Sequence, residues 1–109
     1  MNIGETKKIN FETTDSDWDF NSAVNVALII HVNHKEYLRY IKGNGGDTDI
    51  AVDNSDPKKA SVFITRPQSL QLTTGMMGIE IYVQKNVTEH ASSLFFEVEQ
   101  INKPFSTNI

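Results

Sequence analysis

The row Val24, Val26, Leu28, Ile30 and Val32 constrains this chain more than any other feature. Five apolar residues fall on successive even positions with Asn25 and His31 between them. A strand sends alternate side chains to opposite faces, so the row buries together while Asn25 and His31 point away from it. Nowhere from Val24 to Gln84 does a long helical stripe replace this period. Short alternating runs recur instead, separated by loops rich in Asn, Asp, Gly and Ser. The pattern predicts an all-β protein, an antiparallel β-sandwich of about seven to eight strands.

The remaining runs fill out that prediction. Lys7–Thr13 alternates around Ile9 and Phe11 as a first strand. Thr13–Phe20 is read as a polar turn region holding the only tryptophan, Trp18. Asn33–Glu36 turns the chain into a strand over Tyr37–Lys42. The glycine-rich stretch Gly43–Asp47 is a loop, since glycine and asparagine accept positive φ at little cost. Asp49–Asp53 alternates around Ile50 and Val52, and Asn54–Lys58 is a turn with Pro57 inside it. Ala60–Arg66 directs Val62 and Ile64 one way and Phe63 and Thr65 the other, with Pro67 as its stop. Leu70 and Leu72 bracket a short segment before Thr73-Thr74-Gly75. Gly78–Lys85 puts Ile79, Ile81 and Val83 on one face, and Leu94–Ile101 is a last strand with Phe96 and Val98 inward. Residues 1–102 are expected to form one domain, and 103–109 a loose tail.

With 109 residues the chain is long enough to bury a core without covalent staples, and it has no cysteine for a disulfide framework. Its net charge of −4 and scattered basic residues argue against nucleic acid as a partner, because phosphate binding relies on clustered Lys and Arg. The same scatter argues against a polybasic membrane contact. The longest apolar stretch, Val26–Ile30, is far short of a membrane span. The first eight residues show no basic leader followed by an apolar run, so synthesis in a cytoplasm is expected.

Chemistry-bearing residues are present without a recognisable catalytic pattern. Asp15, Asp17 and Asp19 alternate around Trp18 like the opening of a Ca²⁺ loop, but Phe20 stands where the sharp turn needs glycine and Val26 where a bidentate glutamate belongs. Asp47, Asp49, Asp53 and Asp56 form a second acidic group. The plainer reading of both is solvated turn carboxylates, for Asp favours turns through its own hydrogen bonds. His31 and His34 are three apart and would face opposite ways on a continued strand, and His90 stands alone. Gly43–Thr48 lacks the Lys-Ser/Thr of a phosphate loop, and no Gly-x-Ser-x-Gly elbow exists. Asn86-Val87-Thr88 matches a glycosylation sequon, read as a chance match. Neither an enzyme nor a cofactor or metal site is expected. Trp18, Phe20, Tyr37 and Tyr40 could offer a sugar platform, although Tyr37 and Tyr40 face opposite ways.

The order of features resembles a known family. Gly4-Glu5-Thr6 leads into a strand, the Asp15–Asp19 turn precedes Val24–Val32, and Ala60–Thr65 follows an acidic hairpin. Leu70-Gln71-Leu72-Thr73-Thr74-Gly75 then enters a strand carrying Ile79, Ile81 and Tyr82. Over residues 4 to about 85 this is similar to the immunoglobulin-like N-terminal domain of tailed-phage upper-baseplate proteins and related phage tail and fibre modules. Gly75-Met76-Met77-Gly78 departs from the family's Gly-aromatic step, and the last strand is longer. The resemblance implies an immunoglobulin-like sandwich and a non-enzymatic structural or adaptor role in a virion, made in the host cytoplasm. Its partners would be other virion proteins and copies of itself. The alternative from a different class is a carbohydrate- or surface-binding module using Trp18, Asp15, Asp17 and Asp19, with Ca²⁺ as a possible aid.

Overall fold

The computed structural model describes residues 1–88 and 92–103, apart from the side chains of Ser92 and Phe96. Seven strands run β1 (Lys7–Glu12), β2 (Asn25–Val32), β3 (Lys35–Ile41), β4 (Ala51–Val52), β5 (Lys59–Ile64), β6 (Gly75–Gln84) and β7 (Ser92–Ile101). They form two antiparallel sheets, ordered β1-β5-β4 and β3-β2-β6-β7. The order follows the seven-strand immunoglobulin arrangement from its second strand onward: β1, β5 and β4 match the second, fifth and fourth positions, β2, β6 and β7 the third, sixth and seventh, and β3 is an added edge strand.

Alternation explains the core. Val26, Leu28, Ile30 and Val32 of β2 are buried, as are Leu38 and Tyr40 of β3, Met77, Ile79 and Val83 of β6, and Ile9, Val62 and Ile64 of the opposite sheet. Val24 leaves this row: it precedes β2 and is 43% exposed. The Tyr40 hydroxyl is fully desolvated and donates to Gln68 Oε1 at 3.0 Å, and burial followed by the Asp47 charge pushes its pKa up to about 12.

Two-residue turns and bulges set the register. Asn33 and His34 have φ of 52° and 67°, the paired positive values of a tight hairpin turn whose twist suits the flanking strands. Tyr37 is an extra residue where the β2–β3 register shifts beside His31, and Val98 is the extra residue where β7 shifts against Met77 and Gly78. The second bulge corrects the expectation for Val98, which is 39% exposed rather than turned inward. Phe96, expected inward with it, has a side chain outside the described set.

Three further expectations change. Pro67 does more than end β5: it opens a helical turn over Arg66–Ser69 in which Thr65 and Gln68 cap each other, since proline suits a first helical turn. Strand β6 begins at Gly75, three residues before the expected start. The run around Ile50 and Val52 shrinks to the two-residue β4, although Ile50 is buried. Lys103 is the last described residue, so the expected tail at Pro104–Ile109 lies outside the described residues.

At the other terminus, Met1–Gly4 packs beside the end of β7. Asn2 pairs with Asn102 in parallel. The Ile3 N–H donates to the Asn102 carbonyl at 3.0 Å, the Asn102 N–H to Met1 at 2.9 Å, and the Gly4 N–H to buried Ser69 Oγ at 2.8 Å. The Met1 ammonium lies 3.5 Å from Glu99 Oε1, which Lys7 approaches at 3.1 Å.

Candidate interaction surfaces

The aspartate-tryptophan loop between β1 and β2 is built around a residue that its polar composition disguises. Phe20 is 2% exposed and packs edge-on against Phe11, at 5.2 Å between ring centres, and against Trp18 at 5.3 Å. Ala23 is buried beside it. The carboxylates of Asp15 and Asp19 are spent on the loop's own backbone. Asp15 Oδ1 accepts from the Asp17 N–H at 2.9 Å, and Asp19 Oδ1 accepts from Ser22 at 2.7 Å and Asn21 at 2.9 Å. These backbone donors, with Lys85 near Asp15, hold both carboxyls below the usual carboxylate range.

The positive charge in this loop comes from lysine. Lys58 Nζ donates to the carbonyls of Asp15 and Trp18, the latter at 2.9 Å, and Lys85 Nζ lies 3.4 Å from Asp15 Oδ2. Lys42 Nζ donates to the carbonyls of Phe20 and Ala23 at 2.8 and 2.5 Å, and desolvation lowers its pKa. Ammonium groups therefore sit among the carbonyl oxygens that a loop-bound cation would seek. Asp17 has no comparable tie among the described contacts of its carboxylate. Replacing Lys58 with Met is expected to cost about 1–2 kcal/mol, allowing for partial exposure of the two charge-assisted bonds. Thermal unfolding should show the loss together with a red-shifted Trp18 emission, while Lys8→Met on the exposed sheet face leaves both unchanged; an unchanged Trp18 emission in Lys58→Met would contradict the clamp.

The four aromatics expected as a platform do not form one. Tyr40 and Phe20 are core, Trp18 is half-buried with its edge contact to Phe20, and Tyr37 is half-buried with Lys35 Nζ 5.7 Å over its ring. The second acidic group is dispersed likewise. Asp49 Oδ1 accepts from Gly43 and Ile50, Asp53 Oδ1 from Ser55, and Asp56 Oδ1 from Lys58, each closing its own turn. Among the described residues no three His, Asp or Glu side chains gather as a metal site. Asn86 Oδ1 accepts from Thr88 within its own turn.

The histidines change the reading most. The strand does not continue through them: the hairpin turn at His34 and the bulge at His31 bring both rings to Phe95. The ring centres lie 5.4 Å and 5.7 Å from it. His31 Nε2 is 3.2 Å from Glu80 Oε1, and Arg39 pairs with Glu36 at 2.8 Å nearby. Phe95 reaches across the sheet because Gly78 has no side chain; a Cβ there would stand 2.3 Å from the ring. Sequence offered one signal for this cluster, a lone glycine inside an apolar strand. His90 lies outside the described residues.

This face continues into an apolar edge. Of the ten large hydrophobic residues exposed among the described residues, six lie on β6, β7 or the connection between them: Met76, Tyr82, Val87, Leu94, Phe95 and Val98. Of these, Met76, Tyr82 and Phe95 share the outer face of the sheet, whereas Leu94 turns to the opposite side. Between the sheets on the β1–β7 side, a cleft of about 240 Å³ has Phe11, Trp18, Ile81 and Leu94 on its apolar wall and Glu12 and Lys85 among its polar lining. Fold and surface together define an all-β antiparallel sandwich with exposed apolar side chains on the outer face of β6 and β7. No protein-family model, curated protein or solved structure matches the chain.

Proposed function

We propose that this chain is a non-enzymatic adaptor module that works through protein–protein contacts, in a phage virion as the family resemblance implies, beside other virion proteins and copies of itself. The observation that carries the reading is the exposure of Met76, Tyr82 and Phe95 on the outer face of β6 and β7, with Phe95 held over Gly78. Such a patch gains from covering, at roughly 25 cal/mol per Å² of apolar surface removed from water. In a multi-copy particle weak contacts of this kind add through effective concentration. The carboxylates of Asp15 and Asp19 serve their own turns, which favours contact over chemistry there.

Sedimentation velocity over a range of concentrations tests the contact, with proteomics of purified particles testing the setting. The wild-type chain is expected to form a defined oligomer, or a complex with a structural protein encoded beside it, and Phe95→Ser to weaken it by about tenfold. A chain that stays monomeric, binds no such neighbour and instead binds a glycan on an array through Trp18 would overturn the proposal.

A further inference from the structure

Asn44-Gly45 is the one asparagine–glycine pair in the chain, and it lies in the exposed connection between β3 and β4. Asparagine is a thermally labile amide because the backbone nitrogen of the next residue can reach its Cγ. Glycine at that next position leaves the nitrogen unshielded by a Cβ. Nothing lies within 4 Å of where a Gly45 Cβ would stand, so water and base reach the pair freely. The Asn44 amide is turned forward along the chain, its Nδ2 donating to Thr48 Oγ1 at 3.1 Å. The neighbouring backbone is tied: the Gly43 N–H donates to Asp49 Oδ1 at 2.8 Å and the Asn44 N–H to the Ile41 carbonyl at 3.1 Å. The Gly45 N–H donates no hydrogen bond among the described residues.

We infer that Asn44 is a site of spontaneous deamidation in the folded protein, with the Gly45 backbone nitrogen as nucleophile and water as the only other reactant. The Gly45 N–H gives its proton to hydroxide, and the nitrogen attacks Asn44 Cγ. A C–N bond forms, the Cγ–Nδ2 bond breaks, and ammonia leaves with a proton taken from water. Water then opens the resulting cyclic imide at either carbonyl. One opening gives aspartate, and the other gives isoaspartate, in which the backbone runs through the former side chain. Either product adds a negative charge to a chain of net charge −4, in a loop that already holds Asp47 and Asp49.

The fold makes the reaction selective. Two other asparagines precede a small residue in exposed turns, Asn21-Ser22 and Asn54-Ser55. In each the nitrogen that would attack is occupied: the Ser22 N–H donates to Asp19 Oδ1 at 2.7 Å and the Ser55 N–H to Asp53 Oδ1 at 2.9 Å. Asn33, in the β2–β3 turn, has its own amide fixed by the Met76 N–H and the Thr74 carbonyl. The aspartates that close those two turns thus shield the adjoining asparagines, whereas Asp49 closes on Gly43 and leaves Gly45 free. The isoaspartyl form also lengthens the backbone ahead of Asp47, whose carbonyl accepts from Gln68 Nε2 at 2.8 Å, so the change reaches the residue that takes the Tyr40 hydroxyl. The inference goes beyond the adaptor reading and does not depend on what covers the Phe95 face.

Ageing the folded chain in mildly alkaline buffer, followed by peptide mapping with mass spectrometry, tests it. An acidic variant is expected to accumulate, with the mass shift of an amide-to-acid exchange confined to the peptide that holds Asn44. Part of that product should accept a methyl group from S-adenosylmethionine through an isoaspartyl methyltransferase. Asn21 and Asn54 should stay intact in the same samples. In urea, where the Ser22 and Ser55 N–H groups are released, both should begin to react, so the preference for Asn44 narrows. Asn44→Gln, whose longer side chain closes the ring poorly, should lose the acidic variant while its thermal unfolding stays that of the wild-type chain. An Asn44 that reacts in urea but remains intact in the folded chain overturns the inference. So does native-state loss of the amide at Asn21 or Asn54 as fast as at Asn44, or an acidic variant that persists in Asn44→Gln.

Discussion

Replacing Phe20 with alanine is expected to destabilise this protein by about 3–5 kcal/mol, the range for emptying a buried aromatic site. The residue lies in a loop, which would ordinarily argue for a small effect. Its surroundings argue otherwise. Phe11 and Trp18 contact its ring edge-to-face, and the backbone is fixed at both ends of the residue. The Phe20 N–H donates to the Pro57 carbonyl at 2.9 Å, and its carbonyl accepts from Lys42. A backbone held by both neighbouring connections cannot collapse into the vacated space, so the cavity term adds to the lost transfer energy. For a domain of this size the midpoint of thermal unfolding should fall by more than about 12 °C, with Trp18 emission shifted to longer wavelength. Phe20→Leu should lose less than half as much. A loss below about 1 kcal/mol for alanine would mean that the loop is a surface appendage and not part of the core.

Gly75→Ala is the second large effect, and its cause is backbone geometry. Gly75 has φ of 142°, a value that side-chain-bearing residues rarely adopt, and a Cβ would lie 2.3 Å from both polar atoms of the Asn33 amide. That amide straddles the start of β6: Oδ1 accepts from the Met76 N–H at 3.2 Å and Nδ2 donates to the Thr74 carbonyl at 3.3 Å. The Asn33 N–H also donates to the Met76 carbonyl at 3.0 Å. Alanine therefore strains the backbone, about 1–3 kcal/mol, and pushes away a side chain whose bonds are worth about 1 kcal/mol each. The sum is a loss of about 3–5 kcal/mol by urea denaturation. Asn33→Ala combined with Gly75→Ala should lose less than the two singles added, because the clash is relieved once the amide is gone. Strict additivity would show that the two positions do not meet.

Residue patterns carried the architecture a long way. The even row of β2, the Ile79-Ile81-Val83 row of β6 and Val62 with Ile64 of β5 were legible because period-two alternation reports directly which side chains share a face. Misreadings fell where one residue's surroundings outweighed its local pattern. Phe20 sits among Asp, Ser and Asn, so composition marks a turn, yet the gap left beside Phe11 draws it inward. Val98 follows alternation on paper, and an extra residue in β7 turns it out.

The contact surfaces show the same division. Trp18 and Asp15, Asp17 and Asp19 stood out by residue type, and the structure turns the carboxylates of Asp15 and Asp19 inward upon the loop's own amides. Phe95, Gly78, His31 and His34 are separated by up to sixty-four positions and meet only because β6 lies between β2 and β7. Their spacing in the chain holds no trace of that encounter.

Strand identity and the buried faces are local properties, set by the chain's own alternation of oily and polar residues, and the sequence alone determined them. Which edges stay unpaired, and which side chains from distant strands share a surface, was decided only by folding. Those outcomes depend on how two sheets stack and on where a single bulge or missing Cβ lets a ring cross, quantities that no stretch of neighbouring residues encodes.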